Sequence, residues 1–157
     1  LSNETLLAHA AELGSDCPFF VESAPAMVTG RGEHVAPLGF ELPLDGIWVV
    51  VANPGIHIST AEAFGGLKPT DRPTPWGQLA TTPLAQWHTL IRNDFESGAV
   101  ERHPAIGDLL EALRDAGASY VQMTGSGSTV FGLFHDETLA RAAGTACGAQ
   151  FVGPLSA

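Results

Sequence analysis

Apolar positions along the chain recur at two spacings, and each spacing predicts a kind of element. Leu6, Leu7, Ala10 and Leu13 fall at helical intervals behind Ser2 and Asn3, either of which can cap, with Gly14 as the stop. A helix over Ser2–Leu13 is therefore expected. Pro18 suits the first turn of a short second helix, which places Ser15 or Asp16 at its start. Ala26–Thr29 and His34–Leu38 read as strands joined by the turn Gly30-Arg31-Gly32-Glu33. Ile47–Ala52 is apolar throughout and mostly β-branched, as in a strand buried on both faces. Ser59-Thr60-Ala61-Glu62 has the form of a capping box, so a helix to about Phe64 should follow.

Residues 65–82 are rich in Gly, Pro and Thr and read as a long surface loop. Helices are expected over Pro83–Arg92 and over Pro104–Ala116, the latter with Ile106, Leu109, Leu110 and Leu113 on one face and Gly117 as its stop. Tyr120–Met123 and Thr129–Phe134 are strands around a glycine-rich turn. Glu137–Cys147 is a helix, and Gln150–Val152 is an edge strand. This succession implies an α+β domain: an antiparallel, ferredoxin-like sheet with helices packed on one face.

The 157 residues suit one domain with a real core, 1–157, of globular composition. The net charge of −10 argues against a nucleic-acid partner and against an anionic membrane surface. A phosphorylated ligand stays open, because backbone N–H groups bind phosphate whatever the net charge. No apolar run reaches 18 residues, so no membrane-spanning helix is expected. The start of the chain has neither the basic nor the apolar region of a secretory signal, and it lacks an initiator Met, so a fragment or processed product is expected. Cys17 and Cys147 are too few for a disulfide framework and read as inert core thiols, which fits a reducing compartment, the cytoplasm. The six histidines show no metal-binding spacing, so no metal site is expected. No P-loop or dinucleotide fingerprint occurs.

Four segments could carry chemistry, and each has a bland reading beside it. Asp16, among Gly14, Pro18, Phe19 and Phe20, is either a helix cap or a general base. Gly125-Ser126-Gly127-Ser128 is either an ordinary hairpin turn or an anion-binding nest of amides. Thr60 and Phe64 belong to a helix start that could hold a base, with Phe64 stacking on a flat ring or filling a core. Asn93-Asp94-Phe95-Glu96 reads as the C-terminal cap of a helix with a solvated acidic face.

In this order the segments resemble the C-terminal half of the GHMP kinases. Gly14 to Phe20 is similar to that family's G-[SA]-D-V-P-F segment, with Cys17 in place of Val, and Gly30 to Glu33 to its G-x-G-E turn. His57 to Phe64 resembles V-S-T-x-x-[AV]-[FY], Asn93 to Glu96 resembles N-D-[LF]-E, and Met123 to Phe131 resembles the third motif of the family. The resemblance implies ATP-dependent phosphorylation of a small-molecule alcohol. It is strongest to the branch whose acceptor is a diphosphocytidyl-linked polyol of the non-mevalonate isoprenoid route. It implies Asp16 as the catalytic base, Thr60 and Phe64 in the cytidine pocket, and Gly125, Ser126, Gly127 and Ser128 as support for the phosphate-binding loop. It also implies ATP as co-substrate with Mg2+, and an ATP-binding N-terminal domain, outside this chain, that holds the phosphate loop and the catalytic lysine. The single lysine, Lys68, matches no motif. Homoserine kinase, within the same superfamily, and a non-catalytic ferredoxin-like ligand-binding module are the alternatives. The isolated chain is expected to phosphorylate nothing.

Overall fold

A computed structural model describes residues 2–22, 24–32, 34–65, 67 and 74–155. Glu33 of the first turn and, in the loop expected over 65–82, residues 66 and 68–73 (Lys68 among them) lie outside these residues. The chain divides after Glu41 into two compact units.

In the first unit, helix α1 (Asn3–Leu13) starts where the pattern places it, because the Ser2 hydroxyl accepts the Thr5 N–H at 3.3 Å. Gly14 closes it with a bond from its N–H to Ala10 O. Helix α2 (Cys17–Glu22) follows directly and packs on α1. Strands β1 (Ala26–Thr29) and β2 (His34–Pro37) form the expected antiparallel hairpin, with Thr29 opposite His34.

The second unit is built on a four-stranded antiparallel sheet of β3 (Trp48–Ala52), β4 (Tyr120–Met123), β5 (Val130–Phe134) and β6 (Phe151–Pro154), in the order β4-β5-β3-β6. Helices α3 (Thr60–Gly65), α4 (Glu96–Arg102) and α5 (Pro104–Asp115) connect β3 to β4, and α6 (Glu137–Ala146) connects β5 to β6. Chain order and strand order together are those of the ferredoxin-like split β-α-β arrangement. Alternation decides the faces. Val50, Ala52, Val121, Met123, Val130 and Phe134 point into a core completed by Ile106, Leu110 and Leu113 of α5 and Ala140 and Ala143 of α6. Tyr120 and Phe131 point to the other face, where the Trp87 ring meets Tyr120 edge-on at 5.8 Å.

Three elements differ from the sequence pattern. Leu84–Thr89 is a 3-10 helix rather than an α-helix reaching Arg92. Its side chains bond three residues back, Thr89 Oγ1 to Gln86 O at 2.8 Å and His88 Nδ1 to Ala85 O at 2.9 Å, which satisfies carbonyls in the tighter geometry. A second 3-10 turn, Trp76–Ala80, buries Leu79 within the stretch read as loop. Helix α4 had no apolar periodicity to announce it: it buries only Ala99. Cys17 and Cys147 are both half-buried, Cys147 packed against the core, and burial pushes the Cys147 thiol up. Among the described residues no helix is long and apolar enough to cross a membrane.

Candidate active site

The glycine-rich turn joins β4 to β5 and is closed by Thr124 N–H to Thr129 O at 2.9 Å and Gly127 N–H to Thr124 O at 3.1 Å. Gly125 and Gly127 have φ of 55° and 94°, the left-handed region that glycine enters without a steric cost. Gly127 is also a close-approach position, since a Cβ there would lie 2.8 Å from Met123 Sδ. Among the described residues, the amides of Gly125, Ser126 and Ser128 have no protein acceptor. Unpaired N–H groups on such a turn are what an anion-binding nest offers.

Ser128 differs from its neighbours. It is buried, and its hydroxyl donates to Ile56 O, with Asn53 Oδ1 at 3.4 Å. Asn53 holds the same end of the turn through Nδ2 to Thr129 Oγ1 at 2.7 Å, while its own N–H donates to Gln150 Oε1. The Ser128 hydroxyl is thus committed inside the fold, and Ser126 carries the freer one.

Residues Asn93 to Glu96 do more than cap a helix. Asn93 Nδ2 donates to Met123 O at 2.9 Å and to Gly125 O at 2.7 Å, and its Oδ1 accepts the Phe95 N–H. Glu96 Oε2 accepts the Met123 N–H at 2.7 Å. Strand β4 is a sheet edge, so these side chains occupy backbone groups that a further strand would otherwise take. A cavity of about 430 Å³ opens beside the turn, lined by Arg92, Asn93, Phe95, Thr124, Gly125 and Phe131 among others.

Helix α3 carries Thr60 and Phe64 four residues apart, hence on one face. Both are exposed, Phe64 at 58%, so of the two readings open for Phe64 the core-filling one does not hold. Phe95 meets it edge-on at 5.0 Å and 73°. Only half of the capping box forms: Ser59 Oγ accepts the Glu62 N–H at 3.1 Å, but the Glu62 carboxylate reaches His103 Nε2 at 2.8 Å and Arg102 Nε at 3.4 Å. The His103 hydrogen bond is the largest influence that holds the Glu62 carboxyl below the usual carboxylate range, with Arg102 adding to it.

Asp16 lies in the first unit, in the turn between α1 and α2, exposed, with the Ser15 hydroxyl 3.4 Å from Oδ1. Its carboxylate rests against Gly32 of the hairpin turn, where a Cβ would collide with Oδ1. Among the described residues no three His, Cys, Asp or Glu side chains gather as a metal site. Sequence reasoning missed the structural roles of Asn53, Asn93 and Glu96.

The chain is similar in sequence and fold to known kinases. Residues 78–153 match the family model described as GHMP kinases C terminal. The chain is 40% identical over 123 residues to the 4-diphosphocytidyl-2-C-methyl-D-erythritol kinase of Cytophaga hutchinsonii, covering 78% of this chain and 45% of that protein. It is 40% identical over 144 residues to the enzyme of the same name from Geobacter sp. (strain M21), covering 91% and 50%. A crystal structure of 4-(cytidine 5'-diphospho)-2C-methyl-D-erythritol kinase superposes with a TM-score of 0.77 at 29% identity, covering 97% of this chain and 57% of that one. Homoserine kinase from Cytophaga hutchinsonii superposes at a TM-score of 0.65 with 17% identity, a likeness of fold alone. The chain spans about half the length of the curated relatives it matches.

Proposed function

We propose that this chain is the substrate-side half of an ATP-dependent kinase that phosphorylates the 2-hydroxyl of 4-diphosphocytidyl-2-C-methyl-D-erythritol, a step of the non-mevalonate isoprenoid precursor pathway. The observation that carries the reading is the alignment of relatives bearing that name along most of the chain, at 35–41% identity. The described geometry supports it: an exposed aromatic on α3, a turn with unpaired amides, and a segment in contact with both.

In this reading the acceptor hydroxyl oxygen attacks the γ-phosphorus of ATP, its proton passes to the Asp16 carboxylate, and the bond from the γ-phosphorus to the β–γ bridging oxygen breaks to release ADP. Phosphoryl transfer needs mostly positioning and charge stabilisation, so a base that orients the nucleophile is the main chemical demand on this half. Phe64 stacks on the cytosine and Thr60 lines the same pocket. Gly125, Ser126 and Gly127 support the phosphate loop with their backbone, and Ser128 does so by anchoring the turn from inside. Mg2+, expected with ATP, would offset the negative charge of the phosphates. The phosphate loop and the catalytic lysine come from an N-terminal ATP-binding domain outside these residues, and the work is done in the cytoplasm.

ATP consumption by the full-length enzyme, with the diphosphocytidyl substrate and homoserine offered separately, tests this. Turnover with the cytidylyl substrate alone is expected, reduced about 10²- to 10⁴-fold in Asp16→Asn, the range of a positioned general base. Turnover with homoserine alone would overturn the substrate. An unaffected Asp16→Asn would overturn the base.

A further inference from the structure

We propose that Asn93–Glu96 is a positioning segment for both ends of the reaction: Asn93 sets the glycine-rich turn and Phe95 sets the ring of Phe64. The inference rests on the reading of Phe64 as the base-stacking residue and of the turn as phosphate-side.

Met123 is the last residue of β4 before the turn. Its N–H is taken by Glu96 and its C=O by Asn93, both from one four-residue stretch. The second hydrogen of the Asn93 amide goes to Gly125 O, already inside the turn. An amide NH2 has two donors, and here each has its own carbonyl. Asn93 thereby ties the strand end to the turn whose neighbouring amides are unpaired. The acceptor side of the same amide takes the Phe95 N–H at 2.9 Å, which fixes the backbone that carries the Phe95 ring. That ring packs edge-on against Phe64, whose helix has only six residues and so draws its placement from tertiary contacts rather than from its own length. One short segment therefore touches both subsites, and neither Asn93 nor Phe95 needs to touch substrate to matter.

Steady-state kinetics of the full-length enzyme separates the two arms, with ATP and the diphosphocytidyl substrate varied independently and thermal unfolding recorded for each variant. Asn93→Ala should lower kcat by about a hundredfold, the scale of a misplaced reacting group, with the KM for the cytidylyl substrate within about twofold of the parent. Phe95→Ala should raise that KM about 2- to 10-fold, the span of an edge-to-face aromatic pair, and leave kcat nearly unchanged. Phe95→Leu, which keeps apolar bulk, should recover most of the loss. Phe64→Ala combined with Phe95→Ala should be no worse than Phe64→Ala alone, since the two act through one ring.

If Phe64→Ala leaves the KM unchanged, the underlying reading of the base site fails. If Phe64→Ala raises it and Phe95→Ala does not, this inference fails. Variants that melt earlier but show parental kinetics while folded would likewise overturn it, leaving the segment merely structural. Should Asn93→Ala fail to fold, Asn93→Asp, which keeps the acceptor and loses the donors, must reproduce the loss of kcat; parental kinetics in that variant would overturn the Asn93 arm.

Discussion

Two serines of the same turn should respond very differently to the same substitution. Ser128 is 3% exposed and its hydroxyl hydrogen goes to Ile56 O. Ser128→Ala removes that donor and leaves a carbonyl with no replacement in a site closed to water, a loss of about 1–3 kcal/mol. Ser126, two residues earlier, has no protein partner for its hydroxyl among the described residues, so Ser126→Ala should stay within about 0.5 kcal/mol of the parent. Urea unfolding followed by tryptophan fluorescence reads the right part of the molecule, because all three tryptophans, Trp48, Trp76 and Trp87, lie in the second unit. The midpoint should fall in Ser128→Ala at unchanged slope, the mark of lost stability without a change in exposed surface. Equal midpoints for the two variants would refute the argument that the Ser128 hydroxyl is an internal strut.

Three further outcomes follow from the geometry. Gly32→Ala should destabilise the first unit by about 1–3 kcal/mol, because φ of 122° is strained for any residue with a Cβ and the added carbon meets Asp16; parental amide-exchange protection across α1 and α2 would refute it. Tyr120→Phe should raise the melting temperature, since among the described residues the buried Tyr120 hydroxyl has no partner in good hydrogen-bond geometry, and burial together with the Glu96 charge, against a smaller opposing effect of Gln122, pushes its pKa well above the ordinary tyrosine value; a fall of more than about 1 kcal/mol would show that the hydroxyl is satisfied. The Glu62 carboxyl titrates lower in the folded chain than in the unfolded one. Its contribution to stability is therefore present above the unfolded value and is lost as pH falls through the folded one. The stability gap between parent and Glu62→Gln should close in acid, and a gap independent of pH would argue against the Glu62–His103 contact.

Much of the fold was readable because local and long-range preferences agree. Ser2 and Gly14 bracket α1, the spacing of Ile106, Leu110 and Leu113 forecasts α5, and β4 has its expected ends. The failures share a cause. Leu84–Thr89 and Glu96–Arg102 are set by side-chain bonds and by distant partners, which periodicity does not register. The same holds at the site. The glycines of the turn and the exposed pair Thr60 and Phe64 stand out as residue types. That Asn93 reaches 30 and 32 positions along the chain, or that Ser128 points inward to Ile56, depends on tertiary distance alone.

The far margin of the sheet has its own consequence. Leu155 donates its N–H to Ile47 O, which turns the backbone of the preceding residue, Pro154, away from β3. At that outward position proline offers no hydrogen to a newcomer. A stray chain trying to add itself alongside β6 would therefore find the row of donors broken where the strand ends. This is a built-in guard against self-association that costs the sheet none of its own ladder.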